Sequence, residues 1–243
     1  MRPSEWLFRY RRSALILIFV CGFWAPLDRL QGAHPASTWL WLSGVLASQR
    51  TLSMATSTVL VMGLAILMAL LAALLRTWAA AYLRSPAVQD SELHAERVVA
   101  DGPYRYVRNP LYVGLWLYTL AVAILMPPSG ALFVVIAVTV LILLLIRTEE
   151  RNLATERGEA YAAYVLIVPR FFPATSPRVP AGANQARWMQ AFMGEVHTWG
   201  VVVTYLTFAD RYNATILIQG VLISLGISMM LRAFLGPSVP DAV

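Results

Sequence analysis

The sequence contains no lysine, a single cysteine and few charges of either sign. All 19 basic residues among its 243 are arginines. A mechanism that needs a lysine, such as a Schiff base or a phosphate-binding loop, is therefore excluded. A codon bias of the genome is the simplest explanation for the missing lysine. Cys21 alone can form neither an internal disulfide nor a cysteine metal site, and we predict no metal site in this sequence.

The scarcity of charge points to a membrane protein. Only 13% of the residues are charged, whereas a soluble domain usually carries about 25%. Hydrophobic residues make up 58% of the sequence, and its mean hydropathy is +0.62. We therefore expect a polytopic membrane protein with short polar loops.

Five stretches lack aspartate, glutamate and arginine, and they predict the membrane spans: residues 13–27, 51–75, 109–146, 196–209 and 212–231. The third stretch is 38 residues long, twice the roughly 20 residues that cross a bilayer. Its centre reads Pro127-Pro128-Ser129-Gly130, which is typical of a turn, so it predicts a hairpin of two helices. The prediction is an all-α bundle of about six transmembrane helices, the fifth being the weakest. Trp39 to Leu42 is expected at the outer membrane interface rather than in an aromatic ligand box.

The arginines predict an orientation for this bundle. If both termini are cytoplasmic, only Arg29, Arg50 and Arg211 lie outside, against sixteen on the cytoplasmic side. The first stretch could instead be a signal peptide, but no convincing cleavage site follows it, which favours a retained anchor. The arginine-only, alanine-rich composition suggests the inner membrane of a bacterium.

Two polar segments that carry chemistry fall on this cytoplasmic side. One runs from residue 84 to 110, and the other from 147 to 173, where a short cytosolic helix is expected after the fourth span. Because the third and fourth spans form a hairpin, Arg108-Asn109-Pro110 and Glu149-Glu150 should lie close together. An aromatic, arginine-rich loop opposite paired carboxylates fits a pocket for a small, cationic, polar ligand.

Each residue also has a simpler interpretation. Pro110 could merely begin a helix, where proline is favoured at the first position. Arg105 and Arg108 could be anchors at the membrane surface, and the glutamates could form the solvated face of a helix. The combination in one place is what favours a site.

The run GPYRYVRNPLYVG, two helices and then RTEERNLATERGEAYAAYVLIVPRFFP resemble the isoprenylcysteine carboxyl methyltransferase and phospholipid methyltransferase superfamily. In that family the first motif usually reads G-x-Y-x-x-x-R-H-P-x-Y-x-G, and a Glu-Glu pair followed by Gly, Tyr and a Val-Pro-rich end forms the second. Residues 74–78 resemble the helix before the motif. The resemblance divides the chain into an N-terminal membrane region (1–73, its second span continuing to about 83), a methyltransferase core (74–173) and a C-terminal extension (174–243).

The resemblance implies methyl transfer from S-adenosylmethionine to a lipidic or lipid-attached acceptor at the cytoplasmic membrane interface, leaving S-adenosylhomocysteine. The chain has no G-x-G-x-x-G dinucleotide fingerprint. By similarity, the cofactor site comprises Gln89, Glu96, Arg97, Val98, Val99, Tyr104, Arg108, Asn109, Pro110, Leu111, Tyr112, Glu149 and Glu150. The acceptor site comprises Arg76, Trp78 and Arg147, and the catalytic candidates are Glu150 and Arg147, with His94 as another possible base.

One position departs from the family pattern. Asn109 replaces the usual histidine, and an amide cannot act as a general base near neutral pH. The acceptor stays open among an isoprenylcysteine-type carboxylate, a phospholipid amine and another apolar substrate. The C-terminal helices could complete the lipid-facing wall or form a homodimer contact.

Two other functional classes are compatible with the composition. A steroid-reductase-like membrane enzyme would use NADPH in a similar helical pocket. A non-enzymatic membrane subunit would be expected to place ionisable residues along a path through the bilayer, and the predicted spans lack them. Nucleic-acid binding is not expected, because the topology explains the excess of arginine.

Overall fold

The computed structural model describes residues 3–24, 37–49, 52–83, 100–182 and 184–235, and this part of the chain contains helices but no strand. The all-α prediction is confirmed. The α-helices are α1 (Pro3–Trp24), α2 (Thr38–Ser48), α3 (Met54–Tyr82), α4 (Pro110–Ala123), α5 (Pro128–Ile167), α6 (Trp188–Gly194), α7 (Val196–Phe208) and α8 (Ala214–Leu235), with short 3₁₀ helices at Gly102–Arg105 and Ala209–Arg211.

Helix α3 is the central element of the bundle. The hydroxyl of Ser53 accepts the backbone N–H of Thr56 and so caps its first turn. Its 29 residues extend about 43 Å, longer than a bilayer core. One face is buried and built of small residues, which allows α4 to pack closely, and the opposite face exposes leucines. The buried residues include Ala65, Ala69, Ala72 and Ala73, and the exposed ones Leu60, Leu64, Leu67 and Leu71.

The predicted hairpin is present as α4 and α5, which pack against each other. The backbone N–H groups of Thr38 and Trp39 donate to the carbonyls of Met126 and Ile124, so the start of α2 covers the hairpin turn. Helix α5 is broken at Gly158, whose φ of 51° is in the left-handed region that glycine tolerates. The residues after Gly158 form the short helix expected beyond the fourth span.

Three helices in the described residues are long and apolar enough to cross a membrane: α3, α5 and α8. Helix α4 is apolar but has only 14 residues. It ends at Ala123, a few residues before the turn that the sequence predicts at Pro127. Helix α7 covers nearly the predicted fifth span, with 13 residues. The polytopic helical bundle is thus confirmed, whereas α2 and α6 were not predicted as helices.

The C-terminal helices are part of the core. Helix α7 packs against α3, and its buried Val201, Val202 and Tyr205 belong to the main hydrophobic cluster. The Tyr205 hydroxyl donates to the carbonyl of Ala121 in α4 at 2.6 Å. Helix α8 packs on α7, where a Cβ on Gly220 would overlap the side chain of Thr204. The sequence division at residue 73 falls inside the continuous α3.

Candidate functional site

The loop before α4 is shaped by glycine and proline. Gly102 has φ 56°, and a Cβ there would lie 2.4 Å from the ring of Tyr82, so the position requires glycine. The chain then makes a 3₁₀ turn, and Pro110 begins α4 as its first residue, which is where proline is favoured. Asn109 at the N-cap directs its side chain away from the helix terminus and towards α5.

Glu150 joins three chain segments at the end of the bundle where the loop lies. Its side chain is about 10% exposed, and one carboxylate oxygen lies 3.2 Å from the Arg108 guanidinium. The other oxygen lies 2.6 Å from a guanidinium nitrogen of Arg170. Asn109 donates its side-chain N–H both to Glu150 (3.3 Å) and to the carbonyl of Arg170 (3.0 Å). The loop, α5 and the segment after α5 are thus held together by one carboxylate.

Glu149 has different surroundings from its neighbour. It is half-buried, and its carboxylate hydrogen bonds to the hydroxyl of Tyr112 in the first turn of α4. The Glu149 carboxylate also interacts electrostatically with the phenol of Tyr104 and with the guanidinium of Arg11 in α1. Burial first, and Glu149 second, raise the pKa of the Tyr104 hydroxyl further above neutral pH. Glu149 therefore hydrogen bonds to a neutral phenol, whereas Glu150 is bound by guanidinium groups.

The segment from Pro169 to Asn184, here called the strap, runs along the motif loop in the opposite direction. Its carbonyl at Pro169 accepts the N–H of Arg108, and its N–H at Arg178 donates to the carbonyl of Arg105. Its far end is bound by the buried Asp101, whose two oxygens accept the N–H groups of Gly182 and Asn184. The short helix before the strap adds a bond from the Tyr164 hydroxyl to the Tyr104 carbonyl. The loop conformation therefore depends on residues 60 or more positions away in sequence.

Arg76 lies in α3 beside the first turn of α4. Its guanidinium makes a two-pronged ion pair with Glu195, at 2.7 and 2.9 Å, and both side chains are buried. It also donates to the carbonyl of Leu111 at 3.4 Å. A Cβ on Gly114, the last glycine of the motif, would lie 2.3 Å from the Arg76 side chain. A role for Glu195 was not predicted from the sequence. Its position next to an apolar run indicates a buried charge that needs a partner.

The other predicted site residues are more dispersed. Trp78 is partly buried, with its ring 5.8 Å from that of Tyr106 in the motif loop. Arg147 is exposed on α5, one turn before Arg151. The predicted cofactor residues Gln89, Glu96, Arg97, Val98 and Val99, and the candidate base His94, lie outside the described residues.

The motif loop, the hairpin and the paired glutamates all fall within one known family pattern. Residues 60–157 match the model of the phospholipid methyltransferase family. The match confirms the resemblance to the isoprenylcysteine carboxyl methyltransferase and phospholipid methyltransferase superfamily, and it indicates a membrane methyltransferase that acts on lipid substrates. A search of curated proteins and a search of solved structures found no match.

The matched segment includes some of the site and omits the rest. It contains Arg76, the motif loop, Glu149 and Glu150, but it ends before the strap and before Glu195. Arg11 lies before it. Phospholipid methyltransferase similarity therefore accounts for the centre of the site, and the flanking segments complete it.

Proposed function

We propose that the protein transfers a methyl group from S-adenosylmethionine to a lipid or lipid-attached acceptor at the cytoplasmic face of a bacterial inner membrane. The observation that carries the proposal is the contact of Glu149 with the Tyr112 hydroxyl, in the segment that matches the phospholipid methyltransferase family. The distribution of arginines along the sequence supports the orientation with both termini in the cytoplasm.

The residues present fit such a cofactor. The carboxylate of Glu149 can accept hydrogen bonds from ribose hydroxyls or from an ammonium group, and bonds of that kind to a charged acceptor are strong. Tyr112 supplies a neutral donor beside it. By the family resemblance we also assign Gln89, Glu96, Arg97, Val98 and Val99, which lie outside the described residues, to the cofactor.

The chemistry needs position more than it needs reacting side chains. When bound, the cofactor would supply a methyl group on a sulfonium; the acceptor's lone pair would form the new bond while the old S–CH₃ pair stays on sulfur. A lipid ammonium would first release a proton to the water at the membrane surface, because its nitrogen has no lone pair while it is protonated. Holding these atoms in line, away from water, can contribute about 7–11 kcal/mol. A carboxylate next to a cation that loses its charge would oppose the reaction, so we assign Glu149 to the ribose or ammonium groups.

The distribution of charge favours an amine over a carboxylate as the acceptor. Three guanidiniums near the site already face carboxylates: Arg76 faces Glu195, and Arg108 and Arg170 face Glu150. We propose that the exposed Arg147 contacts the phosphate of a lipid and that Trp78 borders its path. Since both oxygens of Glu150 already accept from donors, we propose that it holds the motif rather than acting as a base.

Titration with S-adenosylhomocysteine tests the assignment of Glu149. We expect Glu149→Gln to raise the Kd about 10- to 100-fold, since a hydrogen bond to a charged group contributes about 1.5–3 kcal/mol. Glu156→Gln is the matched control, because Glu156 is exposed on the same helix. Equal affinity in wild type and in Glu149→Gln would contradict the assignment.

The acceptor can be identified directly. Purified protein is incubated with labelled S-adenosylmethionine and a total lipid extract, and the labelled product is analysed by mass spectrometry. We expect a methylated lipid amine; a labelled methyl ester would contradict the preference for an amine. Stabilisation by NADPH in a thermal-shift assay, with none by S-adenosylhomocysteine, would favour the reductase-like alternative and overturn the methyltransferase proposal.

A further inference from the structure

The C-terminal extension places one carboxylate against the methyltransferase core. Glu195 lies at the junction of α6 and α7, outside the segment that matches the family. Its side chain is 1% exposed. Besides Arg76, it accepts a hydrogen bond from the hydroxyl of Thr198 at 2.8 Å. A carboxylate this deeply buried is tolerated because the guanidinium and the hydroxyl both donate to it.

The pair fixes Arg76 in one orientation. Both prongs of the guanidinium fork are used, at 2.7 Å and 2.9 Å, and such two-pronged contacts restrict the plane of the group as well as its distance. A third nitrogen of Arg76 then faces the carbonyl of Leu111. The aliphatic stem occupies the space that the missing side chain of Gly114 leaves free. Arg76 is therefore held between Glu195 and the first two turns of α4.

These two turns carry the residues that the proposed function uses. Tyr112, which follows Leu111, donates to Glu149. The charge of Arg76 also reaches the Tyr104 hydroxyl. A shift of the Arg76 guanidinium would therefore displace the carbonyl of Leu111 and, with it, the adjoining residue Tyr112.

We propose that Glu195 is a positioning residue for methyl transfer: through Arg76 it holds the start of α4 so that Tyr112 faces Glu149. This inference rests on the proposed function. It assigns a role in the reaction to the C-terminal extension, which the family similarity does not cover.

A double substitution distinguishes a role of the Arg76–Glu195 pair in positioning α4 from a role in the stability of the fold. Arg76→Met and Glu195→Met each leave a buried charge without its partner, so each should lower the melting temperature. The double variant removes both charges, and apolar replacements of a whole buried pair are often neutral or stabilising. We expect its melting temperature to return to within a few degrees of wild type, while kcat for methyl transfer stays about 10- to 100-fold lower. Trp199→Phe is the control, since Trp199 bonds Thr77 across the same α3–α7 contact.

Glu195→Asp provides a second arm that does not depend on the double variant. It keeps the charge and shortens the side chain by one methylene, so we expect a folded protein with a lower kcat. Wild-type kcat in a folded double variant, or in a folded Glu195→Asp variant, would overturn the positioning role and leave the methyltransferase proposal intact. Absence of both S-adenosylhomocysteine binding and methyl transfer in the wild type would overturn the proposed function and this inference with it.

Discussion

Glu150 gives the clearest prediction about what holds the site together. We replace it by glutamine, which has nearly the same shape but no charge. In the structure the carboxylate faces Arg108 on one side and Arg170 on the other. Glu150→Gln removes the negative charge and leaves both guanidiniums without their ion-pair partner. The guanidinium of Arg108 is largely shielded from water.

The two ion pairs are not equivalent. The Arg108 side chain is 9% exposed, and breaking a buried pair by removing one partner costs about 3–5 kcal/mol. The Arg170 side chain is 48% exposed, so solvent screens it and its pair adds only about 0–1 kcal/mol. Glutamine keeps a carbonyl that can accept from Asn109, which favours the lower limit of about 3 kcal/mol. For a chain of this size the melting temperature should fall by about 6–12 °C.

The assay is thermal unfolding in detergent, followed by an intrinsic fluorescence signal. Glu149→Gln is the internal comparison, because it makes the same change one residue earlier on the same helix. We expect Glu149→Gln to lower the melting temperature far less than Glu150→Gln, since Glu150 makes two ion pairs whereas Glu149 hydrogen bonds to the neutral phenol of Tyr112. A fall of less than about 2 °C for Glu150→Gln, or an equal fall for both variants, would refute the division between a structural and a ligand-binding glutamate.

Two further substitutions test the packing around the site. Gly114→Ala should lower the melting temperature, because its Cβ would overlap the stem of Arg76, whereas Gly63→Ala, with open space around it, should not. Asp101→Ala should release the far end of the strap by leaving two backbone N–H groups without their acceptor, and trypsin should then cut after Arg178 faster than in the wild type. Unchanged cleavage would contradict the role of Asp101.

The hairpin and the meeting of its two ends could be predicted because their signals are local. A charge-free run of twice the span length with Pro127 and Pro128 at its centre admits few other arrangements. From that hairpin it followed that Asn109 and Glu150, 41 residues apart, would lie together, and their side chains are 3.3 Å apart. Helix α2 was missed because its sequence resembled an interfacial stretch, although its first residues bond to the hairpin turn.

The different roles of Glu149 and Glu150 could not be predicted from the sequence. Neighbouring residues on a helix point about 100° apart, so their surroundings depend on which elements pack on either side. Those elements are the strap, which brings Arg170 to one glutamate, and α4, which brings Tyr112 to the other. Neither contact leaves a periodic pattern in the sequence.

The pairing of Arg76 with Glu195 could not be predicted from the sequence either, although the position of each residue indicated that it needs a partner. Each is an ionisable residue at the border of an apolar run, where a charge is costly unless it is paired. Their separation of 119 positions hid the pair. A search for matched opposite charges at such borders would have suggested it.

The buried charges show how the flanking segments depend on the core. Arg76 lies in the segment that matches the family, but Glu195, its buried partner, lies beyond the end of that segment. Glu150 pairs with Arg108 inside the segment and with the more exposed Arg170 beyond it. An uncompensated charge in an apolar interior costs several kcal/mol, comparable with the whole stability of many domains. The buried charge of Arg76 is therefore balanced only within the longer chain. For this reason we propose that α6 and α7, which carry Glu195 at their junction, belong to the same structural unit as α3 and α4 rather than to an independent extension.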